Sequence, residues 1–355
     1  MAAVTRAFQL SDDRNRQLKP TKGTFMLRMK LPMLAALMAG TLTAIASSQP
    51  SMAADTVSLR LSYTPFAAHI PVYVAKAKGY YADAGLDVNI LSGRGSVFAA
   101  TTVGAGKEEF GISDAASVLV TRAKGIPVIA IGNLQQDNGV ALIATQKSGI
   151  DKVEDLKGRN VGIFPGSTTT IFLEALLKKH GMTLNDVKPV TWRPGTDLPL
   201  LLDGKIDAEV EVYNNELIGW SFQHPELKLK VWTMASLGFD TPGYALITSE
   251  GYAAKSSKVV SAFAKATFKG TDYAIKHPDE AVDILIKAVP ELKKDIEAAK
   301  WKATIGPSQS EATKKYGLGA MDTAKWQNLD DILKSYAVIE RTVDLGKVLQ
   351  DQYRR

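Results

Sequence analysis

The sequence predicts an α/β protein built as two lobes joined by a two-segment hinge. Strand-like apolar runs occur at Val57–Tyr63, Leu86–Leu91, Val128–Ile131, Val140–Ala144, Val161–Ile163, Ala208–Val212 and Tyr244–Thr248. Helical patterns lie between them at Val72–Ala84, Ala115–Lys124, Ile171–His180 and Lys258–Lys276. Glycine and proline mark the joints, as in Gly125-Ile126-Pro127, Gly158, Gly181 and Gly204. Beyond its leader the chain runs to roughly 300 residues, more than one small core takes. Strand alternating with helix implies parallel sheets covered by helices.

The expected split places residues 55–144 and 240–355 in one lobe and residues 145–239 in the other. The crossings would fall near Thr145-Gln146-Lys147 and Ser236-Leu237-Gly238. Two linking segments let such lobes open and close about one axis. From Ser257 onward the chain reads as almost all helix, with Pro278 at a helix start. Helices of that kind pack round a lobe.

Residues 1–54 read as a leader. An uncharged apolar run at Leu31–Ala46 follows Arg28 and Lys30 and precedes the small residues of SSQPSMAAD. Positive flank, short apolar core and small-residue exit are the marks of a signal peptide. The run is shorter than the ~20 apolar residues a membrane helix needs. Cleavage after Ala53 or Ala54 would release the remainder. The leader also explains the basic balance: it holds seven basic and two acidic side chains. Of 43 and 37 in the whole chain, the remainder keeps 36 and 35, a net +1. That leaves no uncompensated basic cluster of the kind nucleic acid demands. Cysteine is absent, so disulfides, thiolate metal sites and a lipid-bearing cysteine are excluded. The expectation is a periplasmic, monomeric protein without a lipid anchor.

In α/β sheets ligands gather outside the carboxyl ends of the strands, which directs attention to four loops. After the first strand, Tyr63-Thr64-Pro65-Phe66-Ala67-Ala68-His69 offers two rings and an imidazole. Aromatic faces suit a flat heterocycle; Tyr63 and Phe66 also read as ordinary lobe packing. Ser113 and Asp114 end a strand ahead of a helix, either as its N-cap or as ligand contacts beside free amides. Gly166, Ser167 and Thr168 follow the strand Val161–Ile163 and could hold a polar or anionic group or cap a helix. Finally Tyr213, Asn214 and Glu216 put a ring, a carboxamide and a carboxylate where a cleft should lie, the carboxylate suited to an amine or a cation.

Signs of catalysis are poor. The four histidines, His69, His180, His224 and His277, have no metal spacing, and no GxSxG elbow is present. Neither Gly93–Ser96 nor the Gly166 loop carries the lysine of a phosphate-binding loop. No catalytic residue, metal ligand or cofactor is expected.

The stretches SYTPFAAHIPVYVAKAKGYYADAGLDVNI, EFGISDAASVLVTRAKGIPVIAI, DLKGRNVGIFPGST, DGKIDAEVEVYNNE and DTPGYALITSEGY occur in that order between Val57 and Ile284. They resemble the thiamine-pyrimidine synthase-like family of periplasmic binding proteins, related to receptors for riboflavin, nitrate, taurine and alkanesulfonates. The resemblance implies a type II periplasmic-binding-protein fold with the four loops lining its cleft. It implies an ABC-importer receptor for a small heterocyclic or nitrogen-containing solute such as a thiamine pyrimidine precursor. The partners would be a permease subunit in the inner membrane and a separate ATPase subunit. It also admits a sulfonate, nitrate or taurine receptor, and a eukaryotic synthase that uses pyridoxal phosphate and one of its own histidines. At the synthase's lysine and histidine positions this chain has Ser113 and Ser117, and it has no cysteine for the iron motif.

Overall fold

The computed structural model describes residues 54–355; the expected leader and its apolar core at residues 31–46 lie outside the described residues. Ten strands form two five-stranded sheets. They are β1 (Asp55–Arg60), β2 (Leu86–Leu91), β3 (Phe110–Asp114), β4 (Val128–Asn133), β5 (Val140–Thr145), β6 (Asn160–Ile163), β7 (Lys188–Thr191), β8 (Ala208–Val212), β9 (Leu229–Thr233) and β10 (Tyr244–Ser249). The first sheet has the order β2-β1-β3-β10-β4 and the second β7-β6-β8-β5-β9.

The sheets are mixed rather than wholly parallel. β1 pairs in parallel with β2 and β3, and β6 with β7 and β8, but β10 and β5 run antiparallel to both their neighbours. Both exceptions are the strands that enter a sheet from the other lobe. A chain leaving one sheet at its carboxyl edge meets the other at the same edge and must run back through it. The sequence reading put Val140–Ala144 in the first lobe. Instead β5 is hydrogen-bonded between β8 and β9, so the outgoing crossing is residues 134–139. The return crossing is residues 234–243.

The crossings are tied to each other and to the first lobe. Asn138 donates through its amide nitrogen to Phe239 O and Thr241 Oγ1, both at 2.9 Å. Lys325 pairs with Asp137 on one crossing and, at 2.9 Å, with Asp240 on the other. Beside it Trp326 is fully buried, its Nε1 donating to Asn133 Oδ1 at 3.2 Å. Around Trp326 an apolar cluster takes Leu119 from the helix Ala115–Ala123, Phe172 and Leu176 from the helix Thr168–Lys179, and Phe239 from the return crossing. The two lobes thus share one core.

On the first lobe the helix Ser257–Lys276 buries Val260, Phe263, Ala264, Thr267, Phe268, Thr271 and Ala274, a stripe at three- and four-residue spacing. Phe263 stacks on Phe110 at 3.7 Å and on Tyr81 at 5.2 Å. Where this helix crosses Ile70–Ala77, Gly270 lets the backbones meet: a Cβ there would lie 2.5 Å from Pro71 O. Gly270→Ala must therefore push two helices apart. We expect a loss of about 1–3 kcal/mol, measured by urea unfolding, the usual penalty of overpacking.

Candidate functional site

The loops converge, as the fold demands, at the carboxyl edges of the two sheets. Between them lies a cavity with about 430 Å³ of empty space, counted to its open mouth. The first lobe contributes Ser62, Tyr63 and Phe66 after β1, Gly95 and Ser96 at the start of the helix Ser96–Gly104 after β2, and Tyr244. The second contributes Phe164, Ser167, Thr168 and Thr169 after β6, Trp192 after β7, and Glu211, Val212, Asn215 and Glu216 at the end of β8.

Its walls are rings. Phe164 stacks on Trp192, centroids 4.9 Å apart, and meets Tyr63 in a T-shaped pair across the cleft at 6.1 Å. Phe66 meets Tyr244 edge-on at 6.4 Å. Its polar end is acidic. β8 reads Ala-Glu-Val-Glu-Val: Ala208 and Val210 join the shared core, so Glu209 and Glu211 both project from the opposite face. Glu211 Oε1 is buried without a partner, as are both oxygens of Glu209, Glu216 Oε2 and the Oδ1 atoms of Asn214 and Asn215. Burial, then the charges of Glu216 and Glu209, push Glu211 well above the usual carboxylate range. Burial also raises Glu209. Glu216 is partly buried on the cavity wall; burial and then Asp197 raise it to about 8, against the pull of Lys300.

Of the residues singled out from sequence, Tyr63, Phe66, Ser167, Thr168 and Glu216 are brought together on the cavity wall. The others stand behind it, among the described residues. His69, expected at the ligand, is fully buried with Nε2 2.9 Å from Ser62 Oγ, and burial alone lowers its pKa to about 3. It is a neutral prop for the Tyr63 loop. Ser113 is buried and donates to Ser96 O at 3.0 Å. Asp114 caps the helix Ala115–Ala123, accepting from Ala116 N at 2.9 Å. Gly166 takes a left-handed turn (φ +78°) with open space around it. Tyr213 is half-buried beside residues 134–139, its N donating to Gly139 O at 2.8 Å. Asn214 packs on Gly139, its amide nitrogen 3.4 Å from Thr304 Oγ1. A ligand sandwiched between Tyr63 and Tyr213 is thus not what the walls offer; the ring facing Tyr63 is Phe164, with Trp192 stacked on it.

Ser167 also caps its helix, accepting from Thr170 N at 3.2 Å. Thr168 Oγ1 lies 2.8 Å from Ser117 Oγ of the other lobe, a polar bond across the cleft. Among the described residues no group of three or more His, Cys, Asp or Glu side chains is placed to hold a metal ion, and no helix is long and apolar enough to cross a membrane.

Comparison with known proteins follows this geometry. The family described as NMT1/THI5 like matches residues 67–281. The chain belongs to the NMT1/THI5-like family. As such it is similar to the riboflavin-binding protein RibY of Chloroflexus aurantiacus, 26% identical over 319 residues and covering 86% of this chain and 88% of that one. It is similar to the 4-amino-5-hydroxymethyl-2-methylpyrimidine phosphate synthase THI13 of Saccharomyces cerevisiae, at 28% identity over 69% of this chain and 74% of the yeast one. A formylaminopyrimidine-binding protein of Halalkalibacterium halodurans matches at 28%, covering 68% and 74% of the two chains. Among solved structures, the periplasmic aliphatic sulphonate-binding protein SsuA of Escherichia coli superposes with a TM-score of 0.62 at 15% identity, over 83% of this chain and 92% of its own. The NMT1/THI5-like protein therefore has the two-lobed fold of the periplasmic binding proteins expected from its sequence. Its named relatives include both solute-binding proteins and synthases.

Proposed function

We propose that this chain is the solute-binding receptor of an ABC importer, exported to the periplasm, and that it captures a flat nitrogen-bearing heterocycle without chemical change. The observation that carries the reading is a ring-walled cavity whose buried acceptors, Glu211 Oε1, Asn215 Oδ1 and Glu216 Oε2, lack partners. Such atoms call for a guest rich in N–H donors. A sulfonate or nitrate presents only acceptor oxygens and would leave these atoms without donors. Relatives named for binding riboflavin and formylaminopyrimidine support the same choice.

In this reading Tyr63, Phe164 and Trp192 stack on the guest, while Ser167, Thr168, Glu211, Asn215 and Glu216 bond its edge. His69, Ser113, Asp114, Tyr213 and Asn214 hold those groups in place. Closure of the lobes forms the Ser117–Thr168 bond, and the closed receptor docks on a permease subunit whose ATPase is a separate chain. Only a difference in affinity between open and closed forms drives that step. The synthase alternative needs a nucleophilic lysine and a sacrificial histidine. The positions the resemblance assigns to them hold Ser113, buried and bonded to Ser96 O, and Ser117, bonded to Thr168.

Calorimetric titration of the full chain against a 4-amino-5-hydroxymethylpyrimidine, riboflavin, taurine and nitrate tests the proposal. Binding is expected for a heterocycle only, and Trp192→Ala should weaken it about tenfold or more, since stacking a base on one ring is worth ~1–3 kcal/mol. A response to taurine or nitrate with none to the heterocycles would sink the reading.

A further inference from the structure

The charge around the cleft is out of balance. Glu209 is 0% and Glu211 2% exposed, and among the described residues neither has a cation beside it. Glu209 fits only because β6 has a glycine opposite: a Cβ on Gly162 would lie 2.7 Å from Glu209 Oε2. Asp197, 4% exposed at the start of the helix Asp197–Leu202, adds its field to Glu209, Glu211 and Glu216. Asp114 and the phenols of Tyr63 and Tyr244 face the group from the first lobe, and none supplies positive charge. From the helix Lys294–Ile305 the ammonium of Lys300 reaches Glu216 with its field, but it is bonded to the buried Glu297 at 2.8 Å. Glu297 is itself held by Ala67 N at 2.7 Å. Four carboxyls thus share a dry region with one ammonium that already has a carboxylate of its own.

We propose that the cleft takes a flat organic cation, its charge seated between Glu211 and Glu216, and that capture releases a proton to solvent. This rests on the reading of the cleft as a heterocycle site and narrows it. Without a guest, the buried carboxyls keep protons because ionising them together in a dry pocket is costly. A cation replaces the proton as the partner of Glu211 Oε1 and Glu216 Oε2, and the displaced proton leaves to the buffer. The rings on the wall serve the same guest, since a cation over an aromatic face is attracted to it. Glu209 and Asp197, one layer back, hold the site's charge demand constant while the front pair exchanges partners.

The test compares two probes of nearly equal shape, the permanently charged 4-amino-1,2-dimethylpyrimidinium and the neutral 4-amino-2-methylpyrimidine. Each is titrated into the full chain at pH 7.5 in two buffers of different ionisation enthalpy. The cation is expected to bind at least about tenfold more tightly, the lower end of what a hydrogen bond to a charged partner is worth. It should release close to one proton per molecule bound. Glu211→Gln should bring the two probes to similar affinities and abolish the proton release. Equal or tighter binding of the neutral probe, or no proton released by the unmodified protein, overturns the cation assignment and leaves heterocycle capture standing. Failure of both probes to bind removes the heterocycle reading with it. Persistence of the cation's advantage in Glu211→Gln overturns the role given to that carboxylate.

Discussion

Raising the pH from about 6.5 to about 8 is expected to weaken the unliganded fold, in steps of roughly 2 kcal/mol for each buried carboxyl that keeps its proton across the interval. Glu216, raised from 4.5 to about 8, and Glu209 and Glu211, raised by burial, all hold protons in the folded state that they lack in the unfolded chain. The stability they contribute is fully present below the unfolded value of 4.5 and disappears as pH climbs through the folded values. His69 works the other way: its folded value near 3 lies below the unfolded 6.5, so its contribution is complete above pH 6.5 and drops out only on acidification. The interval above 6.5 therefore isolates the carboxyls, joined by Asp114, which burial raises to about 7. Urea unfolding at the two pH values measures the difference, and Glu211→Gln should flatten it by about one carboxyl's share. A stability that stays level or rises over this interval would mean the cleft carboxylates are ionised and compensated in solution.

Truncating Trp326 to alanine should cost about 3–5 kcal/mol, the range for deleting a buried indole. The side chain is 0% exposed and fills the cluster where helices of both lobes meet the return crossing. Its loss also strips Asn133 Oδ1 of the indole donor at 3.2 Å. Because this cluster joins the lobes, the cavity loosens the junction as well as the core. Trp326→Phe keeps most of the volume and removes the donor, so it separates the two effects. It should fall nearer the ~1–3 kcal/mol of an orphaned buried acceptor. A denaturant midpoint unchanged in Trp326→Ala would show that the shared core is not what joins the lobes.

Much of this architecture could be read from the chain because apolar runs and their breakers decide it. Each strand-like run seen in the sequence is a strand, from Val57 in β1 to Thr248 in β10. The runs left unread, Lys188–Thr191 and Leu229–Thr233, are β7 and β9, which edge the second sheet. Edge strands bury half their surface and tolerate Pro189 and Lys230, so their apolar signal is weak. Partner choice is a different kind of information. Nothing local in VALIAT says that β5 pairs with β8 and β9, since a buried strand reads alike in either sheet.

The candidate site was legible in its loops and less so in its atoms. Loop residues with ring or hydroxyl side chains were found, but which of them face inward depends on turns such as the 3-10 turn Ala67–His69, which buries the imidazole under its own loop. Tyr244 was missed because β10 is antiparallel, so its first residue, not its last, lies at the carboxyl edge opposite Asp114. Trp192 sits just past an unread strand. Glu211 did carry a signal: two acids at alternate positions of a strand with an apolar opposite face must share one side of the sheet.

The position of β10 has a consequence for how the molecule is made. It stands between β3 and β4 in the first sheet, yet the chain reaches Tyr244 only after building the whole of the second. A nascent chain that stops short of that point owns four strands with a gap where the fifth belongs. Their hydrogen-bonding edges stay unsatisfied, and such late, distant pairing slows closure and leaves the early segments open to chaperones. The half encoded in the middle of the sequence is therefore able to mature first, and the half that begins the polypeptide is finished last.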